Sequence, residues 1–174
     1  MKNQFLFWSI VILFLFFGCG RSHFPKYLPR LYPCEITVIQ DNKPLADAIV
    51  ALQFTDLSRP KNGQLWFPMG TTNNDGQAVI HTNAQYDGSP LGTYKVLVSK
   101  TKQGPSKYGS PPPKETPQYD KWEELSSDEV RSWFGLVEEK FNQAEQTPYE
   151  IKIQKGKNKL TVDVGKAVEY RIKE

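Results

Sequence analysis

Hydrophobic and polar positions take turns along most of this chain, with a period of two. Cys34, Ile36 and Val38 alternate with Glu35 and Thr37, the pattern of a half-buried strand. Asp41-Asn42-Lys43-Pro44 makes a turn. Ala48, Val50, Leu52 and Phe54 then share one face of a second strand, opposite Ile49, Ala51 and Gln53. Residues 55–64 are polar, with Pro60 and Gly63, and read as a loop. Leu65 to Thr72 predicts a third strand, which Pro68 and Gly70 place at a sheet edge or bulge. Gly92 to Lys100 is the clearest strand, with Tyr94, Val96 and Val98 inward. Tyr149, Ile151 and Ile153 alternate again, and a turn at Gly156-Lys157-Asn158 leads to Leu160, Val162 and Val164. Val168, Tyr170 and Ile172 offer one further edge strand, guarded by the charges of Glu169, Arg171 and Lys173.

The centre of the pattern is Thr71 to Ile80. Asp75-Gly76 supplies residues that tolerate positive φ, as a hairpin turn between twisted strands requires. Beyond it Ala78, Ile80 and Thr82 fall on one face, with Gln77, Val79 and His81 on the other. A second loop, Asn83 to Pro90, carries Asp87-Gly88. The expected fold is all-β, an antiparallel sandwich of about seven strands.

Residues 101–148 form an insertion between strands. Its first half is polar and rich in proline (Pro105, Pro111, Pro112, Pro113, Pro117) and is expected to be mobile. Its second half predicts one amphipathic helix over about 127–142. Ser126 stands three before Glu129, the spacing of a capping box. Val130, Trp133, Phe134, Val137 and Phe141 recur at helical intervals, a stripe expected to pack on the sandwich.

The amino end is different in kind. Lys2 precedes an apolar run from Phe5 to Phe17, and Gly18-Cys19-Gly20 ends it. The run is shorter than the roughly 20 apolar residues that span a bilayer, and it has the layout of a secretory signal. Cys19 after Phe16-Phe17-Gly18 resembles the lipobox of bacterial lipoproteins, although Phe16 and Phe17 are bulkier than the usual residues. The resemblance implies a signal peptide at 1–18, removed before Cys19, and a diacylglyceryl group on its thiol, with palmitate-type chains in the membrane. Residues 19–33, with Pro25, Pro29 and Pro33, then form a tether, and 34–174 the domain. Gly20 after the cysteine implies export to an outer membrane in a two-membrane cell.

Charge and cysteines add little. The formal net charge is +3, with Lys and Arg scattered, so no nucleic-acid footprint is expected. There are only two cysteines, and lipidation of Cys19 leaves Cys34 without a partner, which excludes a disulfide framework. Cys34 sits on the inward parity and reads as a small buried hydrophobe.

Three segments together resemble a known family. Lys43-Pro44-Leu45-Ala46-Asp47-Ala48-Ile49-Val50, then Thr72-x-x-Asp75-Gly76, then Asp87-Gly88-x-x-x-Gly92-x-Tyr94-x-Val96-x-Val98 is similar to a carboxypeptidase regulatory-like domain. The form it resembles is the lipoprotein version of planctomycete-type bacteria, whose fold is the transthyretin (prealbumin-like) sandwich. The resemblance covers about Cys34–Lys100 and Tyr149–Val164 and implies no peptidase activity.

Catalytic motifs are sparse. His23 and His81 are the only histidines, neither within metal-ligand spacing of the other, and both read as solvated surface residues. Tyr170-Arg171 resembles the tail of transthyretin-like hydrolases, but Ile172-Lys173-Glu174 departs from it. The two-Tyr, two-His iron set of intradiol dioxygenases finds no match either. Counting from Gly76 as the sixth position of a calcium loop puts Thr71 first and Thr82 twelfth, where Asp and Glu are needed. The expectation is no enzyme, no metal and no cofactor beyond the lipid on Cys19. The expected role is a non-catalytic binding or structural module in the cell envelope, whose partner is an envelope protein or glycan. Loop aromatics Trp66, Phe67, Tyr86 and Trp122 are the candidate surface, and they also admit a carbohydrate-binding module.

Overall fold

The computed structural model describes residues 28–55, 66–127 and 129–172. The predicted signal segment 1–18, Cys19, most of the tether with His23, and most of the loop after Thr55 lie outside the described residues. In chain order the first strands are β1 (Leu31–Tyr32), β2 (Cys34–Gln40), β3 (Lys43–Pro44), β4 (Ile49–Phe54) and β5 (Pro68–Thr71). There follow β6 (Gln77–Val79), β7 (His81–Thr82), β8 (Tyr86–Asp87), β9 (Ser89–Pro90), β10 (Gly92–Ser99) and β11 (Thr101–Gln103). Helix α1 (Pro117–Ser127), β12 (Trp133–Gly135), a 3-10 turn (Glu139–Asn142), β13 (Glu150–Ile153), β14 (Asn158–Asp163) and β15 (Tyr170–Arg171) complete the described chain.

Two sheets enclose the core. One runs β13-β10-β4-β5-β7-β8; the other runs β14-β2-β3, with β6 also on β2. Two-residue alternation places the buried side chains of both on the inside. Ile36, Val38, Ala78 and Val162 come from the second sheet, and Val50, Leu52, Val96, Val98 and Ile151 from the first. All are buried, at about 1.5–3 kcal/mol for each large aliphatic chain removed from water. The molecule is an all-β sandwich. Among the described residues, the core cluster runs from Tyr32 to Val164. One pair departs from the expected antiparallel plan: β14 lies parallel to β2, with Asn158 opposite Cys34 and Asp163 opposite Ile39.

The central turn forms where the sequence placed it. Asn73 Oδ1 accepts from the Asp75 N–H at 3.0 Å and the Gln77 N–H at 2.9 Å, an Asx-type turn. Gly76 has φ +71, and a Cβ there would stand 2.4 Å from the Val38 carbonyl oxygen. Glycine is required twice over. The flanking strands do not form a simple hairpin ladder, because β5 pairs with β4 and β7 while β6 pairs with β2. Ile80 stands at the crossing point, its N–H donating to Cys34 O at 3.0 Å and its carbonyl accepting from Gly88 N–H at 2.7 Å.

Strand β5 is not at the edge, as expected from Pro68 and Gly70, but between β4 and β7. Pro68 opens the strand, where a missing donor is tolerated. Gly70 lets the other sheet approach: a Cβ would stand 2.3 Å from the Val79 carbonyl oxygen.

The insertion corrects a larger expectation. The helix occupies Pro117–Ser127, ending where the predicted 127–142 helix begins. The signal for its start was Pro117, the favoured first helical residue, following Thr116. The segment after it is extended, and β12 pairs with β11 on one side and β15 on the other. The stripe read as one helical face is divided: Val130 is 83% exposed, whereas Val137 and Phe141 are buried in the core. Gly135 lies under the Tyr170 ring, 2.3 Å from where a Cβ would be, so strand pairing replaces a helix there. Nor does Glu129 close a capping box. Its carboxylate accepts from Ser106 Oγ and Lys107 N–H, both at 2.6 Å, and from Arg131 Nε at 2.9 Å. The first half of the insertion is thus built into β11, a loop fastened to Glu129, and α1, none of whose side chains is buried.

Candidate binding surface

The outer face of the six-stranded sheet carries a cross-strand row. Leu97 stands opposite Ala51, Ala51 opposite Met69, Met69 opposite His81, and His81 opposite Asp87. The neighbouring row is Ser99, Ile49 and Thr71. Inward alternation of Val50, Leu52, Val96 and Val98 forces these residues outward. The result is an apolar strip on a solvent face, with Ile49 44%, Met69 39% and, just before β5, Phe67 62% exposed.

His81 was expected to be a solvated residue on the outward face. It does point outward, but it is half-buried and paired, Nδ1 lying 2.9 Å from Asp87 Oδ1. This cross-strand pair fixes the ring at the border of the apolar strip. Among the described residues, no group of three or more His, Cys, Asp or Glu stands close enough to hold a metal ion.

The four predicted aromatics divide into two places. Trp66 and Phe67 lead into β5, and Tyr86 stands opposite Thr82, itself opposite Pro68, so these three gather at one end of the sheet. Phe67 is exposed; Trp66 and Tyr86 are half-buried. Trp122 is elsewhere. It lies on α1 in the insertion, which leaves β10 from the Ser99 end, away from Trp66. Its indole Nε1 donates to the Gly109 carbonyl at 3.2 Å, its ring is 6.0 Å from that of Tyr119, and the Arg131 guanidinium stands over it. Trp122 holds the insertion together.

Cys34 is buried as expected. Burial, and then the charge of Glu35, push its thiol up to about 12. The nucleophilic thiolate is therefore not formed near neutral pH.

Sequence reasoning missed one feature, a cleft of about 360 Å³ lined by Arg30, Leu31, Tyr32, Pro33, Lys155, Gly156 and Lys157. Its cations come from segments far apart in sequence, which are joined by Asn158, whose N–H and Nδ2 both donate to Pro33 O, at 2.9 and 3.2 Å. The available signal was the Lys-Gly-Lys turn beside a basic tether, but nothing local connects the two.

No helix of the described residues is long and apolar enough to cross a membrane. No family model matches the chain, and no curated protein matches it. Among solved structures, a 9R-lipoxygenase from Cyanothece PCC8801 aligns with 83% of this chain and 18% of its own, at 13% identity and a TM-score of 0.36. At that score the likeness carries no argument about fold or chemistry.

Proposed function

We propose that this chain is a lipid-anchored protein of the cell envelope, a non-catalytic binding or structural module related to the carboxypeptidase regulatory-like domains. The anchoring half of the reading rests on the apolar run ending at Gly18-Cys19. The binding half is carried by one observation, the outward strip of Ile49, Met69 and Phe67 beside the His81–Asp87 pair. A contiguous apolar strip with a polar border is a common setting for protein contact. The one candidate thiol nucleophile in the described chain, Cys34, is buried and protonated, which favours binding over thiol chemistry.

The test has two parts. Cys19→Ala should abolish acyl labelling of the full chain and release it from the membrane fraction. A photo-crosslinker at Met69 should capture a discrete envelope protein in native membranes, and Phe67→Asp should remove that product. Labelling that survives Cys19→Ala would end the anchoring reading, and equal capture from Met69 and from exposed Lys114 would end the docking reading.

A carbohydrate-binding module is the second reading, favoured by the exposure of Phe67 at the end of the sheet. It predicts retention on envelope polysaccharide that Phe67→Ala or Trp66→Ala lowers. Unchanged retention in both variants would remove it.

A further inference from the structure

We infer that the cleft formed by Arg30, Lys155 and Lys157 is a docking site for the anionic headgroups of the membrane to which the chain is tied. The inference rests on the proposed acylation of Cys19, and it adds a second, electrostatic attachment on the folded domain itself.

Three observations carry it. First, the cleft is built rather than incidental. Asn158 closes the turn before it through its Nδ2 donors to Gln154 O and Gly156 O and its Oδ1 acceptor from Gln154 N–H. The same residue fastens that turn to Pro33, while β1 is held by β9, so both walls are fixed. Gly156, at φ +101 with open space around it, presents the turn to solvent between Lys155 and Lys157.

Second, the cations are available. Arg30, Lys155 and Lys157 are exposed, and among the described residues none of them has a carboxylate partner; the nearby Glu35 is taken by Lys159 at 2.9 Å. The Arg30 guanidinium lies over the Tyr32 ring, 5.5 Å from its centroid, a contact that leaves its N–H groups without a carboxylate partner among the described residues. A guanidinium with two ammonium groups around an open cleft matches phosphate oxygens.

Third, the position is right. Arg30 follows Cys19 by so short a segment that even a fully extended chain keeps it within about 40 Å of the anchor. Screening limits attraction to about 8 Å in physiological salt, and a tether of this reach returns the cleft repeatedly to the headgroup layer. Acyl chains supply the residence time, and the cleft sets which face of the sandwich meets the lipid.

The experiment uses the chain from residue 19 onward carrying Cys19→Ser, which keeps every core residue found among the described residues and has no acyl group. It is mixed with vesicles of phosphatidylcholine alone or with phosphatidylglycerol. Binding is expected only to the anionic vesicles and should fall steeply with salt. Combining Arg30→Gln, Lys155→Gln and Lys157→Gln should weaken it about a hundredfold. Combining Lys102→Gln, Lys114→Gln and Lys121→Gln, an equal charge loss in the insertion, should change it less than about threefold. Equal weakening by both triple variants, no binding to anionic vesicles at low salt, or retention on an acidic polysaccharide with none on vesicles would each overturn the inference. So would inorganic phosphate that saturates the cleft at concentrations below those needed from lipid. Acyl labelling of the full chain is read separately, so loss of the anchor and loss of the cleft are told apart.

Discussion

Tyr149 and Asp163 are joined by one phenol: the Tyr149 hydroxyl donates to the Asp163 carbonyl at 2.8 Å and accepts from the Asp163 N–H at 3.0 Å. Tyr149 leads into β13 of one sheet, and Asp163 ends β14 of the other. The contact therefore ties edge to edge across the sandwich. Tyr149→Phe removes both bonds and keeps the ring stacked 6.1 Å from Phe141. Because Asp163 is exposed, water takes over part of the loss, and the expected cost is about 1 kcal/mol in denaturant unfolding. An unchanged midpoint would mean that water replaces the phenol fully.

Gly70→Ala and Gly109→Ala separate crowding from backbone strain. The first places a Cβ 2.3 Å from the Val79 carbonyl oxygen, a backbone atom that cannot swing away. About 3 kcal/mol of destabilisation is expected. Gly109 has φ +77 and nothing within 4 Å, so its substitution carries only the left-handed penalty of about 1 kcal/mol. Equal losses in the two variants would contradict the close approach of the sheets.

Cys34 should be silent toward thiol reagents in the folded protein and react once urea unfolds it. Its folded thiol is held up to about 12, above the value of 9.0 for a free side chain. The neutral form is the one the fold favours. Its contribution to stability is complete below pH 9 and is lost as pH climbs from there towards about 12. Alkaline stability of the native chain should thus fall more steeply over that window than that of Cys34→Ala. Parallel curves would show that the thiol is not the group responsible.

Glu129 carries the opposite sign. The Ser106 hydroxyl first, then the Lys107 N–H and the Arg131 guanidinium, hold its carboxyl below the usual range. The charged form is favoured in the fold, so its contribution is present above the ordinary carboxylate value and disappears as pH falls through the lowered one. Amide protection at Lys107 should drop in acid, below the pH at which an ordinary carboxylate protonates. Glu129→Gln should lower that protection at neutral pH and flatten its dependence on pH.

Parity along a strand is local information, and it was legible. Cys34, Ile36, Val38, Val50, Ala78, Ile80, Val96, Val98, Ile151 and Val162 are all buried as alternation predicts. Which strand lies beside which is not local. The parallel pairing of β14 with β2, and the place of β5 inside its sheet, depend on contacts between distant segments. The insertion shows a different limit. Val130, Trp133, Val137 and Phe141 fit a helical spacing, yet the last two are drawn into the core while the chain between is held extended by β11 and β15. Tertiary pairing overrode a weak local preference. For the candidate surface, Phe67 and the turn at Asp75-Gly76 could be foreseen. The outward row through Ala51, Met69 and His81 required the register, and the Arg30 cleft required segments 125 residues apart to meet.

The segment from Gln77 to Thr82 lends its first half to one sheet and its second half to the other, with Ile80 sealed between them. Neither layer can peel away while the other stays intact, since the same few peptide units are shared. Damage introduced on either side of Ile80 is then felt by the whole body, which should melt in a single step, so a partner or a membrane gripping one layer steadies both.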